Sequence, residues 1–247
     1  MKAIVVHRFG GPEQLELNEL PPPEGALLVD IAYAGVNFVD LYQCEGRYPG
    51  VMLPLQPGLE GSGRIAAAPA GSGWQRGDRV AFTTGVQGSY AEQLAVPAEH
   101  LVRVPDAISL RDAAAALEHG LTALMLLHDV ARLAPGDAVL VHAAAGGVGG
   151  WLVQWLKARG HRAFGTVSSD QKAAWLRGIG VEPLRYDAGA DWCAELLLRT
   201  EGRGVKGVFD SVGAATFEGS LAALAPRGHL VLFGAASGQP APRRCWR

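Results

Sequence analysis

The chain has 247 residues, of which 49% are hydrophobic and 19% charged, with a formal net charge of −2 at pH 7. This suits one large or two small globular domains with a sizeable core, and gives no global electrostatic attraction to nucleic acid or to an anionic membrane. Cys44, Cys193 and Cys245 are isolated, with no Cys-x-x-Cys pair, which excludes a disulfide framework and a four-thiolate zinc lobe.

The N-terminal apolar run is too short for a signal peptide, and no run reaches the roughly 18–20 residues of a membrane span. A cytoplasmic setting is therefore expected. Residues 1–104 read as short strands at 3–7, 15–19, 27–34, 65–68, 79–82, 90–96 and 101–104, separated by Gly/Pro turns such as Gly10-Gly11-Pro12 and Pro21-Pro22-Pro23. Such punctuation predicts a β-rich, barrel-like domain over residues 1–110. The small residues at 66–73 read as a mobile loop.

The character changes after Pro105. Ser109 is placed to cap a helix, with Asp112 in its first turn. Residues 113–117 and 121–130 read as helical, broken at Gly120. From Pro135-Gly136-Asp137 onward, strands at 139–142, 163–167, 184–186, 205–210 and 230–234 alternate with helices at 148–158, 171–177, 192–199 and 217–224. That rhythm predicts a parallel α/β sheet over residues 111–247.

The first of these units, VLVHAAAGGVGG at 139–150, is an apolar strand that turns through glycines into a helix. Its spacing Ala144-x-Gly146-x-x-Gly149 is a dinucleotide fingerprint with alanine in the first slot. The helix N-terminus behind it presents backbone N–H groups and a positive dipole end, a seat for a phosphate. An NAD site carries a carboxylate at the end of the second strand. Here that position is Val167, followed by Ser168, Ser169, Asp170 and, one turn on, Lys172. A 2′-phosphate would be repelled by a carboxylate and welcomed by Ser168 and Lys172, so NADP(H) is the expected cofactor. Residues 168–170 can alternatively be a plain helix cap.

HAAAGGVG, GTVSSDQK, Tyr186 and FDSVG at 209–213, together with AGVNFVDLY at 34–42, RYPG at 47–50, PGLEGSG at 57–63, GDRVAF at 77–82 and GSYAEQ at 88–93, closely resemble the zeta-crystallin-like quinone oxidoreductases. These are zinc-free members of the medium-chain dehydrogenase/reductase superfamily. The resemblance implies a GroES-like catalytic domain followed by a Rossmann domain, with the cofactor in the cleft between them. It implies that Asn37, Tyr42 and Tyr48 line the nicotinamide and substrate side, with Thr122 reaching the cofactor. Gly146, Gly147 and Val148 meet the pyrophosphate, and Ser168, Lys172 and Tyr186 hold the 2′-phosphate end. Ala145, Val212 and Gly234 complete the cofactor-binding set. Without the resemblance, Asn37 reads equally as a strand-end turn residue, and the three tyrosines as packing aromatics.

No metal is expected. Where zinc-dependent relatives carry Gly-His-Glu, this chain has Gly58-Leu59-Glu60, and leucine cannot ligate a metal. His142 and His229 read as strand or strand-end residues. The implied activity is NADPH-dependent reduction of quinones or related α,β-unsaturated carbonyls, with solvent or the Tyr48 hydroxyl as proton source. The alternatives are an enoyl or alkenal reductase, or a cofactor-binding protein with little turnover. A homodimer through the Rossmann sheet edge is implied, and the balanced charge argues against RNA.

Two departures from the family pattern stand out. His119 occupies a position where glutamine is usual, either as new chemistry or as a capping or packing change. After the fifth Rossmann strand come AASGQPAP and RRCWR, where relatives continue with a sixth strand and a returning segment. RRCWR fits neither strand nor helix periodicity and reads as out-of-frame or truncated. An incomplete sheet would leave the fifth strand as an open edge and cost several kcal/mol against a total of about 5–15 kcal/mol.

Overall fold

The computed structural model describes residues 1–25, 27–83, 85–186 and 191–242. The terminal RRCWR, and Cys245 with it, therefore lie outside the described residues. The chain folds as two compact units, Met1–Glu118 and His119–Arg247.

In the first unit, β1 (Lys2–Val5) pairs antiparallel with β2 (Glu16–Glu19). A second antiparallel sheet contains β3 (Leu28–Ala34), β4 (Gly61–Ala67), β5 (Arg79–Phe82), β6 (Gln93–Ala95) and β7 (Leu101–Arg103), in the order β6-β3-β4-β5-β7. All seven expected strands are present. In the five-stranded sheet the inward residues Val29, Ile65, Val80, Phe82, Leu94 and Leu101 form one buried cluster with Val96, just past β6. β4 begins four residues before the expected position 65. A β-carbon on Gly63 would lie 2.9 Å from the Asp30 carbonyl carbon, and one on Gly61 2.8 Å from Phe82 Cζ. These glycines permit close cross-strand approach and do not mark a turn.

A helix absent from the expectations, α1 (Phe38–Cys44), follows β3. It is one of the least legible elements because its buried residues are Asp40, Gln43 and Cys44. No apolar stripe at helical spacing announces it.

Ser109 caps α2 (Leu110–Met125) as expected, its hydroxyl accepting from Asp112 N at 3.0 Å. Gly120, however, does not break the helix, which runs unbroken through it and on into a π-helical turn at Leu126–Val130. A mid-helix glycine costs only about 0.5–1 kcal/mol, and the burial of Ala123, Leu126 and Leu127 outweighs it.

The second unit is a five-stranded, all-parallel sheet of β8 (Ala138–Val141), β9 (Arg162–Val167), β10 (Glu182–Arg185), β11 (Val205–Asp210) and β12 (Leu224–Leu232), in the order β10-β9-β8-β11-β12. Helices α3 (Gly147–Ala158), α4 (Asp170–Gly178), α5 (Trp192–Arg199) and α6 (Phe217–Ala222) connect them. Val139 and Val141 enter one buried cluster with Leu152, Leu156 and Phe209, while Leu140 enters another with Phe164, Leu184 and Val208. β8 is thus buried on both faces, as a central parallel strand must be. The chain winds outward from β8 to β10 and then returns to β11 beside β8. This is the doubly wound arrangement with its switch point between β8 and β11.

Several boundaries differ from expectation, most of all around the fifth strand. The fifth strand starts at Leu224, six residues early, and the helix before it stops at Ala222. Ala-Pro-Arg-Gly at 225–228 hid this strand. It is accommodated by a register shift between Val205 and Gly207 and by Arg227 at φ 61°. β10 ends at Arg185 and β12 at Leu232, so Tyr186 and Gly234 lie just past them.

Two glycine substitutions separate close approach from mere flexibility. A β-carbon on Gly149 would lie 2.9 Å from Ala144 Cα and nearer still to the Ala143 carbonyl oxygen. Gly149→Ala should lower stability by about 1–3 kcal/mol in urea unfolding. Gly120→Ala, whose β-carbon would meet nothing nearer than Trp151 at 3.9 Å, should raise it by about 0.5–1 kcal/mol. Equal effects would show that the contact at 149 is not limiting.

Candidate functional site

Because the five strands are parallel, the loops that follow them gather at one edge of the sheet. β8 ends there in residues 142–146. Ala143 adopts the left-handed region at φ 49°, Gly146 N donates to Ala143 O at 2.8 Å, and Gly146 caps the twelve-residue α3. The first N–H groups of α3, from Gly147, Val148 and Gly149, have no intrahelical acceptor. No acidic residue lies in that first turn to oppose the dipole. Gly146 and Gly147 are exposed and Ala145 and Val148 half-buried. The result is an open cradle of donors at the switch point, suited to a diphosphate. His119 packs on it: a β-carbon at Gly147 would lie 2.5 Å from His119 Nδ1. Packing is thus a role that the histidine demonstrably has.

Beneath the cradle runs a buried polar chain that sequence reasoning missed. Asp210, at the end of β11, accepts from Val212 N (2.8 Å), Gly213 N (3.0 Å), Thr216 Oγ1 (2.8 Å) and Ser220 Oγ (2.8 Å). Since Ser220 donates to Asp210, its oxygen accepts from His142 Nε2 at 3.0 Å. His142 Nδ1 is then the acceptor for Thr166 Oγ1 at 3.0 Å, and Thr166 in turn accepts from Ala143 N at 3.1 Å. Every donor in the chain is used, and His142 carries its proton on Nε2. His142 is fully buried, with Trp192 edge-on at 4.8 Å. Burial lowers its pKa from 6.5 to about 4, against a smaller upward pull from Asp210.

At the ends of β9 and β10, the two readings of residues 168–170 separate. Ser169 is the cap of α4, accepting from Lys172 N at 3.3 Å. Ser168, Lys172 and Tyr186 are exposed around it, and Tyr186 N donates to Val167 O at 3.4 Å. Asp170 forms an ion pair with Arg185. Val212 follows β11 directly. A β-carbon at Gly234 would lie 2.8 Å from Ser211 O, so the two loops touch. All nine residues expected to bind cofactor thus fall along one sheet edge.

The residues expected on the substrate side lie in the first unit, except Thr122, which is half-buried on α2. Asn37 is only 7% exposed. It precedes α1, where its N–H donates to Asp40 Oδ2 at 2.8 Å and its amide to Glu60 Oε2 at 3.0 Å. Glu60, also buried, accepts from Glu118 N at 2.7 Å. Tyr90 OH donates to Asp40 at 2.9 Å. Burial raises the Asp40 pKa, and burial together with Asp40 pushes the Tyr90 phenol upward. Tyr42 is half-buried, with the Arg47 guanidinium 4.7 Å over its ring and Phe38 at 6.2 Å. Tyr48 is 46% exposed.

Among the described residues no group of three or more His, Cys, Asp or Glu side chains is arranged to hold a metal ion. No helix among them is long and apolar enough to cross a membrane.

Comparison with known proteins gives two family matches: "Alcohol dehydrogenase GroES-like domain" over residues 23–106 and "Zinc-binding dehydrogenase" over residues 147–244. The chain is 41% identical to a quinone oxidoreductase of Pseudomonas aeruginosa over 242 residues, covering 96% of this chain and 74% of that protein. It is 35% identical to a 2-haloacrylate reductase of Burkholderia sp, covering 98% and 75%. Its fold is similar to that of an Escherichia coli quinone oxidoreductase complexed with NADPH, with a TM-score of 0.93 at 36% identity, covering 99% of this chain and 76% of the other.

The buried imidazole carries a pH signature. Below 6.5 the unfolded chain protonates at position 142, whereas the folded chain does not until about pH 4. Stability that is fully present above pH 6.5 is therefore lost as pH falls towards 4, by roughly 3 kcal/mol from this group. His142→Gln should be less stable than wild type at pH 7, and the gap should close across that window in urea unfolding. A gap that stays constant from pH 7 to pH 4 would contradict the assignment.

Proposed function

Because the chain belongs to the quinone oxidoreductases of the medium-chain dehydrogenase/reductase superfamily, we propose that it is an NADPH-dependent oxidoreductase. Its proposed substrates are quinones or related α,β-unsaturated carbonyls, reduced without a metal. The observation that carries this reading is the donor cradle at the N-terminus of α3, set at the switch point of a parallel sheet whose β9 ends in Val167 without a carboxylate.

When bound, the nicotinamide supplies hydride from its C4. The chain's own residues do the rest. In this reading the N–H groups of Gly147 and Val148, with Ala145 and Gly146 beside them, bind the diphosphate. Ser168, Lys172 and Tyr186 hold the adenosine 2′-phosphate end, and Val212 and Gly234 border the cofactor along the sheet edge. Thr122, Tyr42 and Tyr48 address the nicotinamide and the substrate. Asn37 acts by fixing the start of α1 on Asp40 and Glu60, which orients Tyr42 four residues after Phe38. A quinone is already electron-poor and needs holding more than polarising. An enone needs a proton delivered to carbon, and the exposed Tyr48 hydroxyl is the proposed donor, with solvent as the competing source.

The similarity to a 2-haloacrylate reductase favours activated alkenes as the second substrate class. We extend the reading to a cytoplasmic homodimer, which light scattering on the purified protein would test.

The decisive measurement is NADPH and NADH oxidation with a small 1,4-quinone, a simple enone and a 2-haloacrylate. Quinone turnover with NADPH, faster than with NADH and unchanged by EDTA, is the expected result. Tyr48→Phe should lower kcat with the enone by about 10²-fold and affect the quinone far less. Equal enone turnover would assign the proton to solvent. Cofactor binding without oxidation by any of the three acceptors would refute the enzymatic reading.

A further inference from the structure

The strand-end position that separates the two nicotinamide cofactors is Val167, and the residue paired with it in register on β10 is Arg185. Arg185 is the last residue of β10, so its backbone stands at the same carboxyl edge as the diphosphate cradle. Its guanidinium is paired with the carboxylate of Asp170, the first residue of the nine-residue α4. The partners are unequally exposed. The Asp170 side chain is 98% exposed and that of Arg185 30%. The guanidinium is therefore partly sheltered and held in place, while the carboxylate sits in water and can swing away at little cost.

We propose that Arg185 is a specificity-determining residue that receives the adenosine 2′-phosphate, and that Asp170 occupies its guanidinium as an exchangeable internal anion until the cofactor displaces it. This rests on the NADPH reading of the same site and deepens it.

The physical reasons are three. A planar guanidinium offers forked donors that match phosphate oxygens, and a dianionic phosphate makes stronger charge-assisted bonds than one carboxylate oxygen. A nucleotide bound with its ribose near the end of β9 brings the 2′ substituent to the residues flanking Val167, and an arginine there is the usual counterpart of the acidic residue in NAD sites. Asp170 is also the one carboxylate in the first turn of α4, so it repels an incoming phosphate unless it moves aside. NADH, whose 2′-hydroxyl carries no charge, has nothing with which to displace it. Cofactor choice then depends on an exchange of anions on one guanidinium, with Lys172 and the capped end of α4 adding positive potential nearby.

The test is equilibrium binding of NADPH and NADH, followed by quenching of protein fluorescence, to wild type, Arg185→Gln, Arg185→Lys and Asp170→Asn, with thermal melting of each to confirm folding. Arg185→Gln should raise the Kd for NADPH at least tenfold and change that for NADH less than twofold. Arg185→Lys, which keeps the charge and loses the fork, should fall between. Asp170→Asn should tighten NADPH severalfold, with no gain for NADH. Equal weakening of both cofactors in Arg185→Gln would show that the Arg185–Asp170 pair only ties β10 to α4, and would overturn the proposal. So would a wild-type preference for NADPH that survives Arg185→Gln intact, which would leave the cofactor reading standing. A wild type that binds NADH as tightly as NADPH would instead overturn the cofactor reading, and this proposal with it.

Discussion

The second unit depends on one compensated charge. Asp210 is fully buried, and a carboxylate removed from water is tolerated only if donors replace the water. Two backbone N–H groups and two hydroxyls do so here. Through Ser220 and His142 the same chain of bonds reaches Thr166 on β9 and the amide of Ala143. The apolar clusters on the two faces of the sheet supply most of the burial, but apolar packing accepts small slips without large cost. A chain of directional bonds, each needing its partner, does not. It registers β8, β9, β11 and α6 against one another at the edge where the glycine loop begins. It also holds the loop's left-handed residue, Ala143, whose position decides where the N–H groups of α3 point.

Glycine shows why some of this was legible and some was not. The spacing of Gly146 and Gly149 was readable, but their uses differ. Gly146 leaves the cradle open, whereas Gly149 lets the helix approach the carbonyl of Ala143. In β4, Gly61 and Gly63 serve cross-strand approach, and the strand expected from position 65 in fact starts at Gly61. In α2, Gly120 reads as a break, yet the burial of Ala123, Leu126 and Leu127 carries the helix through it. Composition reports that a side chain is missing, and only the neighbours say whether that absence is for curvature or for contact.

The sheet edge was legible for a topological reason. Once strands and helices alternate, parallel pairing follows, and every strand-end residue is delivered to the same side. Boundary errors of a few residues at β10 and β12 left Tyr186 and Gly234 just beyond their strands without moving them from that edge. What could not be read was pairing. His142 meets Ser220 across 78 positions, Glu118 meets Glu60 across 58, and Arg185 meets Asp170 across 15. Nothing local marks these residues, because each is an ordinary polar residue in its own neighbourhood. Helix α1 was hidden for the same reason, since its buried residues are polar or sulfur-bearing and its exposed ones, Phe38 and Leu41, are apolar.

That inversion in α1 has a consequence for the substrate side. A helix of seven residues is too short to persist by itself, so its anchoring decides its position. Its start is held by Asn37 on Asp40 and Glu60, and its flank by Tyr90 on Asp40. The anchoring atoms are thus inward, leaving Val36, Phe38, Leu41, Tyr48 and Met52 exposed and apolar. Each unit holds the start of a short helix on a buried carboxylate, Asp210 through Thr216 and Ser220 for α6 and Asp40 through Asn37 for α1. In the first unit those outward residues belong to the segment expected to address the substrate. Substitutions among them can alter the shape of this surface without disturbing the bonds that fix the backbone beneath.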